Sequence, residues 1–592
     1  MNMIIEQNVM VPMRDGVKLA TDIYRPAEDG QRPVLLIRIP YDKDLRFPLP
    51  GWEERRMNLE INMNLQRVIE AGYVVVAQDI RGRYASEGQF TPFLAEAQDG
   101  ADTIAWAAEQ PWSTGQVGMY GLSYAGLTQW RAAMEQPVAL RAIIPSQCPY
   151  SGGIYPYLGG AFMLAMALTW VSGDFAAEEM RRQIKEGRAK PEDLEALMRA
   201  VEDVPARVRH LPLNDQPILR AAAPYYLDWL AHPGLDEYWR PFMPADFTER
   251  ITIPALTISG WYDIFLRDDL KRYQDLKQRA GSEFARRQQH LIIGPWSHAN
   301  FMFGYPDRSY GEDGKEVSPQ AVEMLTDIQL RWFDHWLKGL DNGVERDKPV
   351  RIFVMGIDQW RAEEAWPLPD THYRPYYLHS AGHANTVNGD GQLLQTAPRQ
   401  AGQDVYSYDP HNPVPTMSGT RDPEQQGNIG PFDQSEVEQR ADVLCYSSEP
   451  LEHQVEVTGP LELVLYASSS ARDTDFTGKL VDVHPNGRAE MLTDGILRAR
   501  YRESLAQPTL LEPDHVYELH IDLGSTANVF LAGHRIRLEI SSSNFPRFER
   551  NPNSGGPVAA ARAEDFVPAV NRIQHSAEYP SRLILPIIER AG

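Results

Sequence analysis

Pro33–Ile39 (PVLLIRI) and Tyr73–Gln78 (YVVVAQ) are apolar runs rich in Val and Ile, each followed by polar loop residues. A strand that is apolar along its length has both faces buried, as in a parallel sheet covered by helices. Between these runs, Asn58–Glu70 reads as a helix ending before Gly72. Asp99–Glu109 reads as a second helix, with Ile104, Ala105, Trp106 and Ala108 supplying an apolar side. Val117–Tyr120 then predicts a short strand and Tyr124–Met134 a helix, while Ala142–Pro145, Ala255–Ser259 and His290–Ile293 predict further strands. This alternation predicts a doubly wound α/β domain.

The alternation stops between residues 146 and 245, where Phe162–Ser172, Ala176–Lys185, Pro191–Asp203 and Tyr225–Ala231 all read as helices. Helices inserted between two parts of one α/β sheet suit a cap over an active site. The α/β pattern resumes at Ile251 and closes with the helix Pro319–Lys338, ended by Gly339. Beyond residue 350 come short strands divided by turn signals: Arg351–Gly356, Leu461–Ala467, Lys479–His484, Val516–Asp522 and His534–Ser541. In Arg535–Ile540, Ile536, Leu538 and Ile540 alternate with Arg535, Arg537 and Glu539, which predicts one core face and one solvent face. Many short strands without helices predict a β-sandwich or jelly roll. The expected layout is an α/β core over 1–145 and 246–350, a helical cap over 146–245 and a β-sandwich over 351–592. No internal repeat or long linker interrupts it, so the domains should pack together.

The chain of 592 residues exceeds what one core organises, in line with several domains. A net charge of −23 spread along the chain makes nucleic acid an unsuitable partner, since phosphate binding needs a basic footprint. Two distant cysteines, Cys148 and Cys445, imply no disulfide scaffold and read as separate small buried residues. The N-terminus lacks a basic segment followed by a long apolar run, and no stretch approaches the roughly 18 apolar residues of a membrane span. A cytoplasmic protein without a membrane partner is expected.

Gly121-Leu122-Ser123-Tyr124-Ala125-Gly126 follows the strand VGMY and opens an apolar helix. A nucleophilic serine in such a strand–turn–helix elbow needs small residues two places before and after it, because strand and helix approach closely. Gly121 and Ala125 meet that need, alanine replacing the usual second glycine. A serine hydroxyl attacks only when a base takes its proton, so an acid and then a histidine should follow in the chain. Asp263 follows the strand ALTIS and the turn Gly260-Trp261-Tyr262; His298 follows HLIIG and Pro295-Trp296-Ser297. Both stand where a strand's C-terminal end opens into a loop, the usual place for a site in such sheets. Taken alone, Asp263 could equally be a turn residue and His298 a packing residue. An oxyanion needs two donors. One is the Tyr124 backbone N–H. The other should lie in Pro40-Tyr41-Asp42-Lys43, which has no glycine run; Tyr41 there is either a phenolic donor or an aromatic packing at the sheet edge.

The segments MRDGVKLATDIYRP, PYDK, QDIRGRYASEGQF, WSTGQVGMYGLSYAGLTQW, GWYDIF and GPWSHAN resemble the bacterial cocaine esterase family and its wider group. That group takes in α-amino-acid ester hydrolases, β-lactam acylases and Xaa-Pro dipeptidyl-peptidases. RIFVMGIDQWR, DTDFTGKLVDVHPNGRA and SSSNFPRF extend the resemblance into the last domain. It implies an α/β-hydrolase core, helical cap and jelly roll, and a Ser123, Asp263 and His298 triad. It also implies Tyr41 and the Tyr124 amide as oxyanion donors, no metal or organic cofactor, and a homodimer as one option. By the same resemblance an aromatic acyl pocket falls on Phe265 and Trp170, with Tyr155 replacing a tryptophan. The loop Thr420–Gly430, with Arg421 and Asp422, is polar where the family presents an apolar pair, which should weaken the fit of benzoyl esters such as cocaine. Asp79 and Arg81 in QDIRG, with Glu87, read as a buried ion pair and turn holding the loop beside the sheet.

The expected activity is hydrolysis of a small-molecule carboxylic ester through an acyl-enzyme. Dipeptidyl-peptidase or amino-acid ester hydrolase chemistry is the alternative, and needs a carboxylate cluster for the substrate ammonium that the sequence does not reveal. A non-catalytic ligand-binding protein is the third reading, against which the intact Ser, Asp, His order stands.

Overall fold

The computed structural model describes residues 3–46, 56–149, 156–242, 244, 246–301, 304–305, 308–310, 319–417 and 430–590. Ten strands form the first sheet. Their spatial order is Met3–Pro12, Lys18–Pro26, Val74–Asp79, Arg32–Ile39, Ser113–Leu122, Leu140–Ser146, Ala255–Tyr262, Gln289–Ser297, Val350–Val354 and Gln359–Glu363. The seven from Val74–Asp79 to Val350–Val354 run parallel, and antiparallel strands close both edges. In Arg32–Ile39, Val34 and Leu36 join the core under the helices Glu96–Ala108, Tyr124–Met134 and Leu266–Arg279. Leu35 and Ile37 join the opposite core, under Leu65–Glu70 and Pro319–Lys338. The period-2 alternation of one apolar run thus feeds two cores. This is the α/β-hydrolase arrangement, followed by a β-rich region whose eleven strands form one hydrogen-bonded set.

Four local expectations are corrected. Asn58–Glu70 is not one helix: Met57–Glu60 and Leu65–Glu70 are separated by a break where Asn64 caps the second helix by accepting the Arg67 N–H. The cap opens with a hairpin, Tyr157–Leu158 and Ala161–Phe162, and its first helix begins only at Leu164. The strand Val350–Val354 pairs in parallel with Gln289–Ser297, so the α/β sheet continues to Glu363 and does not stop at residue 350. In Arg535–Ser541 the alternation is present but the polar face is covered: Arg537 and Glu539 are buried. The turn Val437–Gln439 overlies them, Arg537 pairs with Glu438 at 2.6 Å, and Lys479 stands 3.5 Å from Glu539. A buried charge persists only when paired in this way.

Between the two parts of the sheet, the helix Leu164–Trp170 runs through a π-helical turn, Val171–Ala176, into the helix Ala177–Lys185. Its residues Met166, Thr169, Trp170, Gly173 and Asp174 repeat at steps of three and one, and all face one cavity over the sheet. The hairpin of the cap rests on the β-rich region, where the Glu549 N–H is donated to the Phe162 carbonyl at 2.9 Å and the Phe162 N–H to the Glu549 carboxylate at 3.3 Å. Both cysteines are buried and unbridged, and no helix among the described residues is long and apolar enough to cross a membrane.

Candidate active site

The strand Ser113–Leu122 turns at Ser123 into the helix Tyr124–Met134. Ser123 has φ 60° and ψ −120°, a conformation that non-glycine residues adopt only when their surroundings impose it. Its N–H is donated to the Ser146 carbonyl at 2.9 Å, which ties the turn to the neighbouring strand. The small flanking residues are required. A Cβ on Gly121, which has φ +138°, would lie 2.7 Å from Ala125 Cβ, and one on Gly126 would lie 2.5 Å from Cys148 Cβ. Small size, and not glycine itself, is what position 125 needs.

The three residues expected to act together do meet. His298 Nε2 lies 3.0 Å from Ser123 Oγ, and His298 Nδ1 lies 2.8 Å from Asp263 Oδ2. Asp263 follows Ala255–Tyr262 and His298 follows Gln289–Ser297, so adjacent parallel strands deliver acid and base to the same end of the sheet. The Asp263 side chain is fully enclosed, and its other oxygen accepts the Phe265 N–H at 2.7 Å. Phe265 also packs edge-on against the His298 ring at 5.2 Å. In this geometry His298 can take the Ser123 proton through Nε2 only if Nδ1 carries its hydrogen toward Asp263.

Tyr41 lies beside Ser123. The Trp170 indole donates to its hydroxyl oxygen at 3.0 Å, which leaves the phenol's own proton to point elsewhere, and Tyr41 and Ser123 both line the same cavity. Burial, and then the Asp174 charge, push the Tyr41 pKa above the ordinary tyrosine range, so the phenol stays a neutral donor. As the first residue of its helix, Tyr124 has a main-chain N–H with no intrahelical acceptor. Its phenol is engaged elsewhere, accepting the Phe93 N–H at 2.8 Å and donating to Glu96 at 3.0 Å.

The cavity above Ser123 measures about 410 Å³. Ile39, Phe93, Leu122, Met166, Trp170 and Phe265 make most of its wall apolar, and Asp174 is the one carboxylate among its described lining residues. Trp170 and Phe265, the described residues of the expected aromatic acyl pocket, both line this cavity. Tyr155 and Thr420–Asn428 lie outside the described residues, as does Ile429.

The expected Asp79–Arg81 pair is not formed. Asp79 ends its strand facing Lys43 at 3.8 Å, whereas Arg81, in the turn beyond, reaches Asp99 at 2.6 Å and Asp15 at 2.7 Å. Burial pushes the Asp79 carboxyl up to about 7. Glu87 holds the turn by accepting the Lys18 N–H at 3.0 Å. Arg83, which the sequence reading passed over, is the residue that links this loop to the site. It is buried and donates to the carbonyls of Pro40, Asp174 and Phe175, joining the Tyr41 loop to the π-turn. A π-turn frees main-chain carbonyls, and a buried five-donor side chain satisfies them.

A second Ser, Asp and His cluster has the residue types of a triad but not its geometry. Ser380, Asp404 and His575 are mutually hydrogen-bonded, but one ring nitrogen, Nε2, meets both Ser380 at 3.1 Å and Asp404 at 2.9 Å. A proton relay needs the two partners on opposite nitrogens. Asp482, His484 and His534 bring three possible metal-ligand atoms within 4.8 Å of one another, away from the cavity. There His534 pairs with Asp482 at 2.7 Å and His484 faces Glu490 at 3.3 Å.

Residues 15–300 match the family model for X-Pro dipeptidyl-peptidase (S15 family), and 342–584 match the X-Pro dipeptidyl-peptidase C-terminal non-catalytic domain. The sequence is 42% identical over 597 aligned residues to cocaine esterase from Rhodococcus sp. (strain MB1 Bresler), covering 100% of this chain and 99% of that protein. Among solved structures, an aminopeptidase from the marine sediment archaeon Thaumarchaeota archaeon superposes with a TM-score of 0.80 at 25% identity, covering 99% of this chain and 97% of that one. An α-amino acid ester hydrolase superposes with a TM-score of 0.80 at 26% identity, covering 99% and 96%. The chain therefore belongs to the family of serine hydrolases that joins cocaine esterase with the S15 X-Pro dipeptidyl-peptidases.

Proposed function

We propose that this protein is a serine carboxylesterase that cleaves carboxylic esters through an acyl-enzyme on Ser123. The observation that carries the reading is the chain of hydrogen bonds from Asp263 through His298 to Ser123, opening into a largely apolar cavity beside the Tyr41 hydroxyl. His298 Nε2 takes the Ser123 proton as Oγ attacks the ester carbonyl carbon. The Tyr41 hydroxyl and the Tyr124 N–H hold the resulting oxyanion. The protonated imidazole, stabilised by ionised Asp263, gives its proton to the departing alkoxide, and the acyl group stays on Oγ. Water then enters and loses a proton to His298 as it attacks the acyl carbon; the bond to Oγ breaks, His298 returns the proton to Oγ, and the acid leaves.

A fluorophosphonate probe is expected to modify Ser123, read by peptide mapping; modification of another serine overturns the assignment. On a panel of aryl esters, α-amino esters and Xaa-Pro anilides, simple esters are expected to give the highest kcat/KM, and preference for the anilides would reject the esterase reading. A second reading, hydrolysis of α-amino esters, is favoured by one feature: Asp174 places a carboxylate in the cavity wall. Ranking of α-amino esters above simple esters on the same panel would select it.

Tyr41→Phe removes one oxyanion donor and keeps the ring. Its kcat is expected to fall by about 10²–10³-fold with little change in KM, as for loss of one such donor elsewhere. Unchanged kcat would assign the second donor to another group.

A further inference from the structure

The strand Leu140–Ser146 ends beside Ser123, and the next residue, Gln147, is fully buried. Its backbone is left-handed, φ 42°, as are those of Ser123, φ 60°, and Ala299, φ 57°. Non-glycine residues keep such angles only where the surroundings over-determine them. Here the surroundings are centred on one dipeptide. The Ser146 carbonyl accepts the Ser123 N–H at 2.9 Å, and the Gln147 N–H is donated to Ile258, in the strand that delivers Asp263, at 2.8 Å. The Gln147 side chain then spans the histidine: Nε2 donates to the Ser297 carbonyl at 3.0 Å, and Oε1 accepts the Ala299 N–H at 3.0 Å. A carboxamide carries a donor nitrogen and an acceptor oxygen side by side at its tip, and the two main-chain groups flanking His298 ask for one of each.

We propose that Gln147 is a positioning residue for this reaction, a brace across the backbone of His298 that holds its ring against Ser123 and Asp263. The inference rests on the roles assigned to those three residues above. Gln147 is not among the described residues lining the cavity, so its loss acts on the geometry of proton transfer and not on substrate binding. Two substitutions of similar size separate its contacts. Gln147→Met removes donor and acceptor together. Gln147→Glu keeps an acceptor for Ala299 and sets a carboxylate oxygen against the Ser297 carbonyl, until protonation restores a donor.

The test is kcat and KM for a p-nitrophenyl ester, per Ser123 titrated to completion with a fluorophosphonate, with thermal melts as the check on folding. Gln147→Met is expected to lose about 100-fold in kcat with KM within about twofold, the scale of a small misplacement of a reacting group. The kcat of Gln147→Glu relative to wild type is expected to rise as pH falls and its carboxyl takes up a proton, a response that a merely structural residue would not give. If Gln147→Met does not fold, the pH response of Gln147→Glu decides. Variants with kcat per titrated serine near wild type, a loss confined to KM, or a pH-independent Gln147→Glu ratio would each overturn the proposal. Failure of the wild-type protein to label at Ser123 would instead reject the site assignment, and the brace with it.

Discussion

Ser123→Ala is expected to lower kcat for a simple aryl ester by roughly 10⁶-fold, while the thermal midpoint and KM stay near wild type. The size follows from what the Oγ does in the proposed mechanism. It supplies the attacking electron pair, and without it His298 and Asp263 have no proton to move. Effects of groups that act as one unit do not add, so His298→Ala should cost about as much and the double variant little more. The substitution should leave the fold intact for a local reason. The Ser123 side chain makes no capping hydrogen bond to the helix it precedes, and the N–H to Ser146 that holds the turn is main-chain. Alanine keeps the Cβ, so the strain at φ 60° is unchanged. Tyr41 and the Tyr124 N–H also remain, and they should sustain a residual rate of about 10³-fold over the uncatalysed reaction. Hydrolysis at the wild-type rate by the purified variant would move the chemistry to another residue.

What could be read from the sequence divides by the range of the interaction responsible. Val34 to Ile37 were legible as a buried strand because composition alone requires two apolar faces. Ser123 was legible because the elbow demands small residues within two positions, and Asp263 and His298 because each follows an apolar strand directly. Residues acting across the fold were not legible. Gln147 follows the strand in PSQCPY with no motif around it, and has a role only through Ser297 and Ala299, 150 and 152 positions away. One signal could have found it: like Asp263 and His298, it immediately follows the C-terminal end of a parallel strand, the end where such sheets place their sites. Tyr41 was ambiguous for the same reason, since Trp170, whose indole donates to its hydroxyl oxygen, lies 129 positions away.

Alternation misled at Arg537 and Glu539. It correctly separated two faces of a strand but could not say what covers the polar one, because the cover comes from Val437–Gln439 and the pairing cation from Lys479. Burial pushes the Glu539 carboxyl above its ordinary range, and the Lys479 charge opposes that shift. Sheet membership of Val350–Val354 was similarly out of reach. The strand's own residues suit either sheet, and its place is set by pairing with Leu291–Ile293.

Asp263→Asn is expected to cost about 10⁴-fold in kcat with KM nearly unchanged, although the substituted side chain has the same shape. The reason lies in the second hydrogen bond of Asp263. Its Oδ1 accepts the Phe265 N–H at 2.7 Å, so an asparagine must turn its carbonyl oxygen toward Phe265 and its amide nitrogen toward His298 Nδ1. That nitrogen is a donor, and it forces Nδ1 to become an acceptor. The imidazole hydrogen then moves to Nε2, where it faces Ser123 Oγ, and the ring cannot take the serine's proton. The Phe265 N–H thus makes the wrong tautomer the stable one. Asp263→Ala is expected to be less tautomer-locked but to leave the ring unbraced on that side. Single-turnover acylation rates of the two variants check the argument. If Asp263→Asn acylates as fast as the wild type, Asp263 is not orienting His298, and the acid of the proposed triad must be sought elsewhere.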